Sequence, residues 1–130
     1  MTPKVTPRPT DAELAILRAI WKLGSGTVRE IHEELLADQP KIGYTTVLKL
    51  LQIMTEKGLV VRDESQRAHV YAPKESEEST QRRLVRDLLD RAFAGSATAL
   101  VMQALSTRKA SSAELAEIRE LLDTIEGERS

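Results

Sequence analysis

Within the stretch "IGYTTVLKLLQIMTEKGLVVRD", from Ile42 to Asp63, polar groups recur at a spacing that gathers them on one side of a helix. At 100° per residue Thr45, Lys49, Gln52 and Glu56 share a side, opposite Val47, Leu50, Leu51 and Met54. A threonine hydroxyl donates to a phosphate or a base edge, a lysine supplies a cation to phosphate or guanine, and a glutamine pairs a donor with an acceptor in the pattern adenine presents. Thr46 adds a second hydroxyl beside Thr45. The competing readings are plain: a polar stripe is also what a solvated face looks like, and a hydroxyl at a helix start caps orphan amides. Capping needs one of the two threonines. Ile53 lies beside the polar stripe and outside the apolar one, where it packs against the next element or touches a thymine methyl.

The residues after Gly58 bear on the choice. "LVVRDESQRAHVYAP" reads as two β-rich runs around the turn "DESQR", a hairpin. In it Arg62, Arg67 and His69 reach backbone phosphates if the hairpin lies along a groove, and are otherwise solvated turn residues.

The elements that position these residues announce themselves by capping boxes at Thr10-x-x-Glu13, Thr27-x-x-Glu30 and Ser111-x-x-Glu114. The first helix is expected over Asp11 to Leu23, burying Leu14, Leu17 and Trp21 with Ile16 and Ile20 beside them, and ending at Gly24 and Gly26. A second runs from Val28 to Ala37, and the third from Tyr44 or Thr45 to Gly58. Three helices and a hairpin are the order of a winged helix-turn-helix, whose second motif helix meets the bases with its N-terminal part. From Ser76 a long helix sets Leu84, Val85, Leu88, Leu89, Ala92 and Phe93 on one face until Gly95 and Ser96 break it. Helices over Ala97 to Leu105 and Ser112 to Ile125 come next, the last with Leu115, Ile118, Leu122 and Ile125 at 3-4-3 spacing. Three such helices expose too much apolar surface to stand alone, and a second copy of the chain is the simplest cover. The expected fold is therefore mainly α: a flexible arm at 1–9, a winged helix over 10–74 and a three-helix dimerisation domain over 75–130.

Composition narrows the function. The formal net charge is -1, with 11 basic against 9 acidic residues up to Lys74 and 8 against 11 from Glu75 onward, so the positive excess lies in the half that carries the stripe. The absence of cysteine removes disulfides, thiolate zinc sites and cysteine nucleophiles. His32 in "HEELL" lacks the second histidine of a helical zinc pair and His69 stands alone, so no catalytic residue, metal ligand or cofactor is expected and the chain is read as no enzyme. Four aromatic residues make a poor platform for single strands. The N-terminus "MTPKVTPRPT" has no apolar run, which points to a cytoplasmic protein without membrane insertion, its Lys4 and Arg8 available to a minor groove. Duplex DNA is the expected partner. The rival from another class is a winged-helix protein-protein interaction module, which the near-neutral charge favours and the ordered stripe does not.

Taken together, "DAELAILRAIW", "TVREIHEEL", "YTTVLKLLQIMTEKGLV" and "RAHVYAP" resemble the penicillinase-repressor-type regulators of the BlaI/MecI kind, with the copper-responsive CopY proteins as relatives, over Thr10 to about Ile125. The resemblance implies a homodimeric repressor on a palindromic operator, with base contacts falling on Thr45, Thr46, Lys49 and Gln52 and wing contacts near Arg67. Ile53 departs from the pattern, since relatives often hold a phosphate there with arginine. The lack of cysteine departs from the metal hook of the CopY kind. Penicillinase-type members are relieved by cleavage at an Asn-Phe bond after signalling by a membrane sensor metalloprotease. The corresponding place here is Gln103-Ala104 in "LVMQALS".

Overall fold

Thr10 and Thr27 begin the first two helices by the same device. Each threonine hydroxyl accepts from the amide three residues on (3.2 Å to Glu13 N and to Glu30 N), and each glutamate accepts from the threonine amide at 2.9 Å. Two orphan amides per helix are thus satisfied, and a negative charge sits at the positive end of the dipole. The computed structural model describes residues 8–129, so Lys4 of the expected arm lies outside the described residues. The order is α1 (Asp11–Leu23), β1 (Gly26–Thr27), α2 (Val28–Leu36), α3 (Tyr44–Lys57), β2 (Val60–Asp63), β3 (Val70–Pro73), α4 (Glu77–Ala92), α5 (Ala97–Thr107) and α6 (Ser112–Arg129). Mainly helical, with one small antiparallel sheet of order β1-β3-β2, it has the expected fold class.

Ile16, Leu17 and Ile20 of α1, Ile31 and Leu35 of α2, and Val47, Leu51 and Met54 of α3 form one core with Leu59, Val60 and Tyr71. The expected apolar face of α1 is rotated: Leu14 and Trp21 are only half-buried, while Ile16, Ala19 and Ile20 are inside. Trp21 has a reason to stay near the boundary, because its indole N–H donates to the Glu75 carbonyl at 3.1 Å. Gly24 ends α1 with φ 87°, donating to Ile20 O, but Gly26 belongs to β1 and pairs with Tyr71. That strand is absent from the sequence reading, since two residues have no period to detect. The hairpin itself is as expected, in the register Val60 with Pro73 to Asp63 with Val70.

The least expected core residue is Glu13, 2 % exposed. Both its oxygens accept from Lys57 Nζ, at 2.7 and 3.0 Å, so the start of α1 is tied to the last turn of α3. Burial works against the carboxylate charge, yet the Lys57 ammonium and the Thr10 donors outweigh it and hold the Glu13 pKa below its ordinary value. In α3 the chain stops at Gly58, whose φ of 81° is left-handed.

Two compact units make up the chain, one reaching to Leu84 and the other beginning at Val85. The first therefore includes the opening turns of α4, where Thr80 is buried and Arg83 pairs with Glu75 at 2.6 Å. In the second unit no residue of α5 or α6 is buried among the described residues. Ser111 accepts from Glu114 N at 3.1 Å where α6 begins.

Both the buried pair and the left-handed glycine have measurable effects on stability. A carboxyl whose folded pKa is depressed contributes stability that is complete above its ordinary pKa of 4.5 and fades as pH falls through the folded value. Glu13→Gln should cost roughly 1–3 kcal/mol at pH 7 and flatten the acid limb of stability. Urea melts between pH 3 and 7 measure this, and parallel acid limbs for the two proteins would contradict it. Gly58→Ala should cost about 1 kcal/mol, because a Cβ is strained at that φ although it meets no close neighbour.

Candidate nucleic-acid interface

Burial of Val47, Leu51 and Met54 turns the other side of α3 outward, and Thr45, Thr46, Lys49, Gln52 and Glu56 are all exposed. The capping reading of the threonines does not hold: the N-cap is Gly43, without a side-chain cap hydrogen bond. Both hydroxyls, and the first-turn amides that no side chain caps, are therefore open to solvent or a ligand at the end of the stripe. Among the described residues Lys49 has no ion pair, so no carboxylate competes for it. Ile53 is 37 % exposed, an apolar group at the edge of the same surface.

His32 positions the start of α3. Its Nε2 lies 2.9 Å from the Ile42 carbonyl, an acceptor, so that nitrogen carries the hydrogen. Its ring meets Tyr44 edge-on, with centroids 5.9 Å apart and planes at 86°. The histidine weighed as a metal ligand thus braces the connection between α2 and α3. No group of three His, Asp or Glu placed to hold a metal occurs among the described residues.

The wing residues differ in what they already touch. Arg62 hydrogen-bonds Tyr71 and pairs with Glu64 at 2.6 Å, which holds its pKa above the ordinary value, so a phosphate must compete for it. The turn beyond is tightened by Asp63, whose carboxylate accepts from Ser65 N at 2.9 Å. Arg67 and His69 are exposed, and Arg67 has no ion pair among the described residues. These two share a cleft with Arg29 of α2 and Tyr44 of α3. Arg29 and Tyr44 lie outside the polar stripe, and periodicity within one helix says nothing about which turns of other elements stand beside it. A second cleft of about 550 Å³, opening beside Thr46, is mostly apolar, and among the described residues only Gln39, Lys41 and Thr46 line it with polar side chains.

In the second unit Leu88, Leu122 and Ile125 are exposed, while Leu84, in the first, and Leu89, Phe93, Leu115 and Ile118 are half-buried. Val101, Met102 and Leu121 are exposed as well, apolar residues the heptad-like spacing does not select. Gln103 and Ala104 are exposed but helical, inside α5, and the Gln103 carbonyl accepts from Thr107 at 2.6 Å. No helix among the described residues is long and apolar enough to cross a membrane.

Several known proteins are similar to this chain in sequence or structure. Over 64 residues the chain is 41 % identical to the transcriptional regulator BlaI of Mycobacterium tuberculosis, an alignment covering 48 % of this chain and 46 % of that protein. The chain thus spans about half the length of the Mycobacterium tuberculosis relatives it matches. Against the penicillinase repressor of Bacillus licheniformis identity is 28 % over 123 residues, 92 % of this chain and 93 % of the other. The solution structure of the DNA-binding domain of the repressor BlaI is similar with a TM-score of 0.50 at 30 % identity, covering 57 % of this chain and 89 % of that one. The model of the family described as penicillinase repressor matches residues 9–124, from the start of α1 through most of α6. The resemblance of the four sequence motifs thus holds along nearly the whole chain, which belongs to the penicillinase repressor family.

Proposed function

We propose that this chain is a DNA-binding transcriptional repressor that acts as a homodimer on a palindromic operator. The observation that carries the reading is the outward stripe of α3, where two uncapped threonines, a lysine without an ion pair among the described residues and a glutamine stand exposed. Thr45 and Thr46 meet base edges, Lys49 meets a phosphate or guanine, and Gln52 reads the next base. Arg67 and His69 hold the backbone from the wing, with Arg62 joining them once it leaves Glu64. Breaking that exposed pair is inexpensive.

One winged helix in a chain of formal net charge -1 supplies few cations, so affinity rests on linking two of them. The uncovered apolar side chains of α4 to α6 support a second copy as that link. Two half-sites then lie about 34–36 Å apart, one helical turn. Relief by a membrane sensor metalloprotease through cleavage at Gln103-Ala104 requires α5 to unwind locally, since the bond lies within a helix.

Fluorescence anisotropy with the chain's own promoter duplex, against a scrambled one and with rising salt, tests the reading. Selective binding that weakens with salt is expected. Equal, weak binding to both by a folded protein would favour the protein-interaction reading. Lys49→Ala should weaken binding by about tenfold, lowering the salt slope by about one if the contact is phosphate or relaxing base preference if it is guanine. Leu122→Glu should shift the sedimentation mass from dimer to monomer and weaken operator binding on the order of 100-fold. An unchanged mass would remove Leu122 from the interface.

A further inference from the structure

The wing, the beginning of α2 and the first turn of α3 converge on a surface cleft of about 340 Å³. Its polar lining is Thr27, Arg29, Tyr44, Tyr71, Arg67 and His69, and no aspartate or glutamate among the described residues lines it. In a chain with a formal net charge of -1 this is a local concentration of positive charge. The groove beside α1 is different. There Arg18 and Lys22 are accompanied by Glu34, Asp38 and Glu77, and Lys22 is taken by Glu34 at 2.7 Å.

Arg29 is free to turn toward an anion. Its sole carboxylate partner among the described residues is Glu33, one turn further along α2 at 3.4 Å, with the two side chains 83 % and 62 % exposed. Such a pair contributes little. Tyr44 meets the His32 ring edge-on and lines the same cleft, and its phenol hydroxyl is a donor. It immediately precedes Thr45, so whatever the cleft holds lies next to whatever the stripe reads.

We propose that this cleft is a seat for a backbone phosphate of duplex DNA, gripped by Arg29 and Arg67 with the Tyr44 hydroxyl, beside the bases that meet Thr45 and Thr46. The assignment rests on the DNA-binding reading and adds a residue from α2 to it. A phosphate has the charge, the acceptor oxygens and the size for two guanidinium groups, and Arg29 presents a fork that matches two of those oxygens. Gripped from two elements as well as from the wing, the backbone fixes the register in which α3 enters the groove.

Arg29→Gln tests it, because the position is exposed on a helix and glutamine has similar helix propensity, leaving the fold unaffected. Anisotropy titrations of wild type, R29Q and R29K are made with promoter and scrambled duplexes across a salt series, and circular dichroism checks each protein. The expected result is that R29Q loses about tenfold in affinity for both duplexes alike and about one unit of salt slope, while R29K keeps the slope. Wild type that binds selectively together with an R29Q of equal affinity and slope would overturn the phosphate seat and leave the DNA reading standing. A wild type that binds neither duplex would overturn both.

Discussion

Val47, Leu51 and Met54 are completely buried, and the rest of the interface depends on that burial. Removing three such side chains from water stabilises by roughly 5–9 kcal/mol as an upper bound, comparable to the whole stability of a small domain. Any rotation of α3 about its axis would expose one of them, so the helix has a single orientation. The polar stripe then faces outward by exclusion and needs no interaction of its own to be there. Glu13 and Lys57 add a polar fastening at the far end of α3, tying its last turn to the start of α1. His32 and Tyr44 act at the near end. A helix held at both ends and along its length is suited to reading, because a misplacement of an ångström costs a hydrogen bond.

Charge is placed as carefully as apolar surface. Several cations of the first unit are already engaged, among them Lys22 with Glu34, Lys57 with Glu13, Arg62 with Glu64 and Arg83 with Glu75. Lys49 and Arg67 have no ion pair among the described residues, and both flank the start of α3 or the wing. The near-neutral total therefore conceals a local positive field, which is what matters to an anion within a Debye length.

Much of this was legible in the sequence, and for identifiable reasons. Thr10 and Thr27 with their partner glutamates mark helix starts within four residues, a range over which the chain alone fixes the geometry. The opposition of Val47, Leu51 and Met54 to Thr45, Lys49 and Gln52 is a consequence of helical period, and it survives intact. Where the reading slipped, distant groups decided. Leu14 and Trp21 looked as good a core stripe as Ile16 and Ile20, and the difference lies in where α2, α3 and β3 press on α1. For Thr45 and Thr46 the sequence left capping open as the alternative to base contact, and the backbone removes it by placing Gly43 at the N-cap.

The sequence by itself determined the order of the helices and the hairpin, the outward side of α3 and, through four motifs, the family, because each is written in short-range period, capping or local pattern. Tertiary structure alone decided three matters. It set the buried Glu13–Lys57 pair, whose members are 44 positions apart and show no sign of each other in either local pattern. It placed β1 beside β3, two residues joined to a sheet only by what lies across from them. And it brought Arg29, Tyr44, Arg67 and His69 around one cleft from three elements. Proximity across the fold depends on how helices and hairpin pack, and packing is settled by the whole core at once rather than by any stretch of the chain.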